Sequence, residues 1–134
     1  MNLQSERSIP KAAEYCELRV AAGLSPRSRA AAEAGLPNTL CGVCVRDDGR
    51  LIGMGRLIGD GGCNYEVVDI AVHPDYQRRG LGTEIMQSLM GYLEENAPPS
   101  AYVSMIADEG APALYARFGF EPVAPVSIGM ARRF

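Results

Sequence analysis

The sequence predicts an α+β fold, a mixed and mostly antiparallel sheet flanked by helices. Three observations predict it. Two helical patterns open the chain, three strand patterns follow across short hairpin turns, and then helix, strand, helix and strand alternate. Hairpins give antiparallel pairs, whereas the later helix is a crossover and brings in a parallel one. A length of 134 residues suits one domain with its own core and is short for two, so residues 1–134 are read as a single domain.

The elements follow in order. From Pro10 to Ala22, Ala12, Tyr15, Leu18 and Ala22 recur near one helical face. LSPRSRAAAEAGLP restarts a helix, with Ser25 as its cap, Pro26 at its first position and Gly35 at its end. Leu40–Arg46 and Leu51–Ile58 read as strands joined across DDG, a hairpin signal. GDGG makes the next turn, and Tyr65–Val72 is the third strand. A helix runs from about Gly82 to Asn96, with Ile85, Met86, Leu89, Met90 and Leu93 on one stripe and Pro98-Pro99 as its stop. AYVSMIA is a further strand, APALYARFGF a short helix, and Ser127–Arg133 a last strand.

Composition narrows the function. Hydrophobic residues make up 47% and charged residues 22%, which excludes general disorder. A net charge of -3 and a pI near 5.1 provide no basic footprint for nucleic acid. No apolar run reaches the ~20 residues that span a bilayer, and MNLQSERSIPKAAEY lacks the apolar core of a signal peptide. The expected location is cytoplasmic, with no membrane partner. Cys16, Cys41, Cys44 and Cys63 are expected to be reduced thiols, because CGVC lies in a strand, where an i,i+3 pair points to opposite faces. With His73 the sole histidine and no second Cys-x-x-Cys, no metal site is expected.

The stretch with chemical content is VVDIAVHPDYQRRGLGTEIM, residues 67–86. A strand ends in a glycine-bearing loop that opens a helix, and such a loop offers unpaired N–H groups and a favourable dipole to an anion. Glycines let backbone approach a ligand closely, and Arg78 and Arg79 add charge-assisted donors suited to a pyrophosphate. A P-loop needs Lys and then Ser/Thr after its second glycine, but Thr83 and Glu84 follow Gly82. A dinucleotide fingerprint needs a third glycine, and position 85 is Ile. What remains is Gln-x-x-Gly-x-Gly, present as Gln77-Arg78-Arg79-Gly80-Leu81-Gly82.

At these residues the chain resembles the GCN5-related N-acetyltransferase (GNAT) superfamily. DIAVHPDYQRRGLG is similar to that family's acetyl-CoA loop at the end of its fourth strand, and LYARFGF, residues 114–120, to its C-terminal Leu-Tyr-x-x-x-Gly-Phe. The resemblance covers about Leu18 to Phe120 and implies the GNAT fold, splayed at the acetyl-CoA site. It also implies direct transfer of an acetyl group from acetyl-CoA to an amine. By the same resemblance the backbone N–H of Ile70 polarises the thioester carbonyl, Ala71 and Val72 bond the pantetheine arm, and the N–H groups from Arg78 to Thr83 hold the pyrophosphate. Tyr115 matches the tyrosine that protonates the leaving thiolate, a role its ordinary pKa suits. Ala111 and Leu114 line the pantetheine. Asp108 stands where many relatives have Asn, and a carboxylate cannot donate as an amide does.

Two carboxylates compete for the general base. Glu66 stands where histone-acetylating relatives carry their glutamate. Asp69 is nearer the reaction centre, inside an otherwise apolar strand, a setting that favours base work; its alternative is to cap a bulge or to pair with an arginine such as Arg56. His73, before Pro74, reads as a structural turn residue. The family builds its acceptor pocket from the first two helices and the loop before the last strand. Here that means Tyr15, Leu18, Arg19, Leu24, Ser25 and Arg27, with Pro125 to Ile128 opposite. Glu66, Asp69 and Asp60 would attract a cationic amine, whereas Arg19 and Arg27 would hold an anionic group. The expected acceptor is a small-molecule amine or a protein terminus, and a homodimer stays open. The competing class is a non-catalytic acyl-CoA-binding sensor; the paired loop, tyrosine and carboxylates favour an enzyme.

Overall fold

The computed structural model describes residues 1–108 and 110–134. Five strands form one sheet in the order β1-β2-β3-β4-β5. They are β1 (Leu3–Glu6), β2 (Cys41–Asp47), β3 (Arg50–Gly59), β4 (Asn64–Val72) and β5 (Tyr102–Met105). The first four pair antiparallel and β5 joins β4 in parallel. Helices α1 (Ala12–Ala21) and α2 (Arg29–Gly35) precede β2, α3 (Leu81–Asn96) makes the crossover, and α4 (Pro112–Ala116) follows β5.

Each sheet face has its own core. On one, Ile85, Met86, Leu89 and Leu93 of α3 pack against Val43, Val45, Ile52, Leu57, Tyr65 and Val67. On the other, Tyr15, Leu18, Ala32 and Leu36 pack against Cys44, Leu51, Met54 and Ala71. Cys41 and Cys44 belong to opposite cores, as the two-residue period of a strand requires, and all four thiols are free. Fully buried side chains such as Ile85 and Leu89 each stabilise the fold by about 1.5–3 kcal/mol relative to exposure.

The expected elements form, with four differences. An N-terminal strand, β1, was not foreseen. Its LQSE is polar because it is an edge, paired only with β2 from Leu3↔Asp47 to Glu6↔Cys44. This strand makes Asn64–Val72 the fourth, the place at which the resemblance puts the acetyl-CoA loop. Second, α2 begins at Arg29, not Pro26, and Ser28 rather than Ser25 caps it by accepting from the Ala31 N–H at 3.1 Å. The Ser25 oxygens are engaged by Arg19 and Arg27 instead. Third, α1 starts at Ala12, its first turn held by Glu14 accepting from the Lys11 N–H at 2.8 Å. Fourth, no strand forms over 127–133: two prolines, Pro122 and Pro125, precede it, and Val126, Ile128 and Met130 stay exposed. Among the described residues no helix is long and apolar enough to cross a membrane.

Candidate active site

The site grows from an interruption in β4. Between Met54↔Ala71 and Arg56↔Val68 the register slips, so Gly55 faces both Asp69 and Ile70. Asp69 absorbs the bulge at φ 59°, in the left-handed region that aspartate tolerates better than most residues. The bulge also switches faces. Before it Tyr65 and Val67 point toward α3; after it Ala71 belongs to the core under α1, and Ile70 and Val72 pack on the α3 side. Asp69 is thereby turned away from the apolar α3 face. Gly55 is glycine because a Cβ there would lie 2.6 Å from both Ile70 Cδ1 and Ile85 Cγ2.

On its other side β4 loses its neighbour. Pairing with β5 runs from Asn64↔Tyr102 to Val67↔Met105 and stops, while β4 continues to Val72. The gap is a cleft of about 950 Å³ bordered by Glu66 to Val72 of β4, with Met105, Tyr115 and Arg19 among its other walls. A second cleft of about 630 Å³ adjoins it, sharing Ile70, Ala71, Val72, Gln77 and Ala111, and reaches the start of α3.

The loop between β4 and α3 is braced from within. The His73 N–H bonds Ile52 O at 2.8 Å, and His73 Nδ1 accepts from the Asp75 N–H at 3.1 Å, the structural turn role expected of it. Gln77 Nε2 reaches back to Val72 O at 3.1 Å, so its side chain ties the loop to the strand end. Arg78 and Gly80 take φ values of 64° and 77°, and Gly80 caps α3 without a side chain. The first N–H groups of α3 therefore have no side-chain cap, beside the second cleft. A Cβ on Gly82 would meet only Leu114 Cδ2, at 3.4 Å, so its open face belongs to the cleft.

Arg78, Leu81, Thr83 and Leu114 line the second cleft. The side chain of Arg79 does not: it lies over the Tyr76 ring at 5.8 Å and points Nη1 at Met1 Sδ. A cation not foreseen bonds a lining residue of this cleft: Arg117 Nη2 donates to Thr83 Oγ1 at 2.6 Å. Its signal was available, one helical turn away from Leu114 in LYARFGF.

Asp69 holds the densest polar cluster. Its Oδ2 accepts from Tyr15 Oη at 2.9 Å and Arg56 Nε at 2.8 Å, and Oδ1 pairs with Arg19 Nη1. The Asp69, Arg19 and Arg56 side chains are 7%, 6% and 11% exposed. Of the two roles open to Asp69, the geometry favours pairing with an arginine such as Arg56: three donors hold the carboxylate, and Asp69 clamps the bulge. Burial and the Asp69 charge push the Tyr15 phenol up, which keeps it a neutral donor. Glu66, also bordering the cleft, has no ion-pair partner among the described residues.

Tyr115, half-buried on α4, faces the larger cleft together with exposed Asp108. Burial raises the Tyr115 pKa and the Asp108 charge raises it further, so the phenol holds its proton at neutral pH. Of the expected acceptor residues, Arg19, Leu24, Ser25 and Arg27 border the cleft, whereas Tyr15 and Leu18 are core residues at 4% and 3% exposure. Arg133, rather than Pro125 to Ile128, brings the C-terminal segment to the wall. Asp60 is spent on its own turn, accepting from the N–H groups of Gly62, Cys63 and Asn64 at 2.9, 2.9 and 3.0 Å. Those bonds hold its carboxyl below its ordinary pKa. No group of three or more His, Cys, Asp or Glu assembles a metal site among the described residues.

The fold has known counterparts. Residues 11–120 match the acetyltransferase (GNAT) family, and the chain belongs to that family. A crystal structure of a protein of unknown function from meticillin-resistant Staphylococcus aureus, described as a probable acetyltransferase, is 47% identical with a TM-score of 0.95, covering 99% of this chain and 100% of that one. A GNAT family acetyltransferase from Streptococcus pneumoniae TIGR4 is 25% identical with a TM-score of 0.80, over 99% and 98% of the two chains. The uncharacterized N-acetyltransferase ycf52 of Porphyra purpurea is 31% identical over 71 residues, 53% of this chain and 40% of that protein. The match thus spans less than half the length of that relative.

Proposed function

We propose that this protein transfers an acetyl group directly from acetyl-CoA to a primary amine of a small molecule or a protein terminus. The observation that carries the reading is the continuity of β4. One strand provides an unpaired edge beside a bulge and then leads into a braced loop and an uncapped helix. The donors suit CoA: the N–H groups from Arg78 to Thr83 offer a cradle to a pyrophosphate, and Ala71 and Val72 offer strand-like partners to pantetheine amides. Bound acetyl-CoA supplies a thioester carbon open to attack.

The chain's residues divide the remaining work. The Ile70 N–H donates where negative charge develops on the carbonyl oxygen. Tyr115 passes its phenol proton to the sulfur as the C–S bond breaks, and later regains one from solvent. Glu66 takes the proton that the amine sheds as the C–N bond forms, directly or through one water. Ala111 and Leu114 supply an apolar wall to the arm.

Calorimetric titration with acetyl-CoA, with a pyrophosphate-free acetyl-pantetheine as comparison, tests the reading. One-site binding that weakens when the pyrophosphate is missing supports it. No binding at millimolar acetyl-CoA would mean that the loop is only a corner and would remove the transferase assignment. Binding with no turnover on any amine would favour a sensor.

A further inference from the structure

The cluster around Asp69 does not balance. Two guanidinium groups, Arg19 and Arg56, share one carboxylate, and no second carboxylate pairs with either among the described residues. Tyr15 stays neutral, and its ring, 5.9 Å from Arg19 Cζ and 5.5 Å from Arg56 Cζ, offsets the surplus only in part. Arg19 and Arg56 are 5% and 9% exposed, so nearly a full positive charge is held where water screens it poorly. Buried charge of this kind is stable when something of opposite sign completes it.

The surplus opens toward the larger cleft. Arg19 borders it and spends three of its five N–H groups, on Asp69, Ser25 O at 2.8 Å and Ser25 Oγ at 3.2 Å. Arg27 stands beside it, donating to Ser25 Oγ and Pro26 O and pairing with no carboxylate among the described residues, and Arg133 faces the same space. The acids on this cleft are Asp69, already neutralised, Asp108 beside Tyr115, and Glu66 on β4. Positive charge therefore gathers at the α1–α2 loop, and the free carboxylate of Glu66 stands on the strand.

We propose that the acceptor carries an anionic group, a carboxylate or phosphate, which the Arg19–Arg27 end of the cleft receives while its amine lies toward Glu66. This rests on the acetyltransferase reading and narrows it to zwitterionic small amines, away from polyamines and lysine-rich peptides.

The test uses matched acceptors: L-amino acids against their amides, and O-phosphoethanolamine against ethanolamine. Binding is followed by calorimetry without acetyl-CoA, and acetyl transfer by thiol release. The anionic member should be favoured by about tenfold or more on both readouts, the worth of one charge-assisted pair. Arg27→Glu should erase that preference while leaving acetyl-CoA affinity unchanged; Arg27 is exposed and its loss removes no core contact. The arm showing the larger preference identifies carboxylate or phosphate as the source. Equal or better binding of the neutral members, absence of binding by every anionic member, or an Arg27→Glu variant with its preference intact would overturn the proposal. Because acceptor binding is read without acetyl-CoA, failure of acetyl-CoA to bind would count against the transferase reading alone.

Discussion

Asp69 carries two burdens in one residue, a left-handed backbone and a carboxylate shared by Tyr15, Arg19 and Arg56. Asp69→Asn keeps the shape and tolerates the backbone but leaves two guanidinium groups without a counter-charge. It should lower unfolding stability by about 3 kcal/mol, read as a fall in urea midpoint. Unchanged stability with a collapse in turnover would return Asp69 to the role of base. Tyr115→Phe should reduce turnover by about 10²-fold with acetyl-CoA affinity intact; an affinity loss alone would make Tyr115 a packing residue. At this scale the sequence already marks Asp69 as a carboxylate in an apolar strand and names Arg56 as a partner. It does not reveal Arg19, because that pairing depends on a bulge turning Asp69 to the α1 face, and face assignment by two-residue alternation fails once a residue is inserted.

Elements hold these residues through a few tight contacts. Gly55→Ala should cost about 1–3 kcal/mol, since the new methyl meets Ile70 and Ile85 at 2.6 Å, and it should slow turnover by displacing Ile70. Gly82→Leu should leave the urea midpoint near wild type yet abolish acetyl-CoA binding by calorimetry; normal affinity would sink the loop assignment. Helix α1 is pinned to β2 by Arg46, whose Nη1 and Nη2 donate to Glu14 at 2.8 and 2.9 Å. That bond, the largest influence on Glu14, holds its carboxyl below the ordinary value of 4.5. A depressed carboxylate pKa contributes stability that is present above the unfolded value and lost as pH falls through the folded one. Thermal stability should therefore drop below about pH 4.5, and Glu14→Gln should blunt that drop. Long patterns such as α3 were legible because their apolar stripe is repeated; β1 was not, because a polar edge strand shows no alternation to read. The Ser127–Arg133 pattern alternates but finds no partner strand, and periodicity does not report partners.

In the whole molecule, β4 is the common wall of everything described: two cores, two clefts, the clamp and the loop. Acetyl-CoA at a hundred times its dissociation constant should add about 2.7 kcal/mol of stability, visible as a Tm rise of several degrees that acetyl-pantetheine fails to match. The donor half of the cleft was readable in the sequence because its glycines and strand end are contiguous. The acceptor half was readable only in part: the resemblance points to Arg19 and Arg27, whereas Arg133 joins them only in the fold.

The join between those halves bears on how the protein can diverge. Arg19 grips the α1–α2 loop partly through a backbone carbonyl, that of Ser25, which any residue at that position would present. Among the described residues, the side chains of Leu24, Pro26 and Arg27 make no hydrogen bond to β4, so these positions can change without breaking the clamp on that strand. A lineage can rewrite those positions one at a time and acquire new acceptors, while the machinery that handles the donor stays insulated from each change.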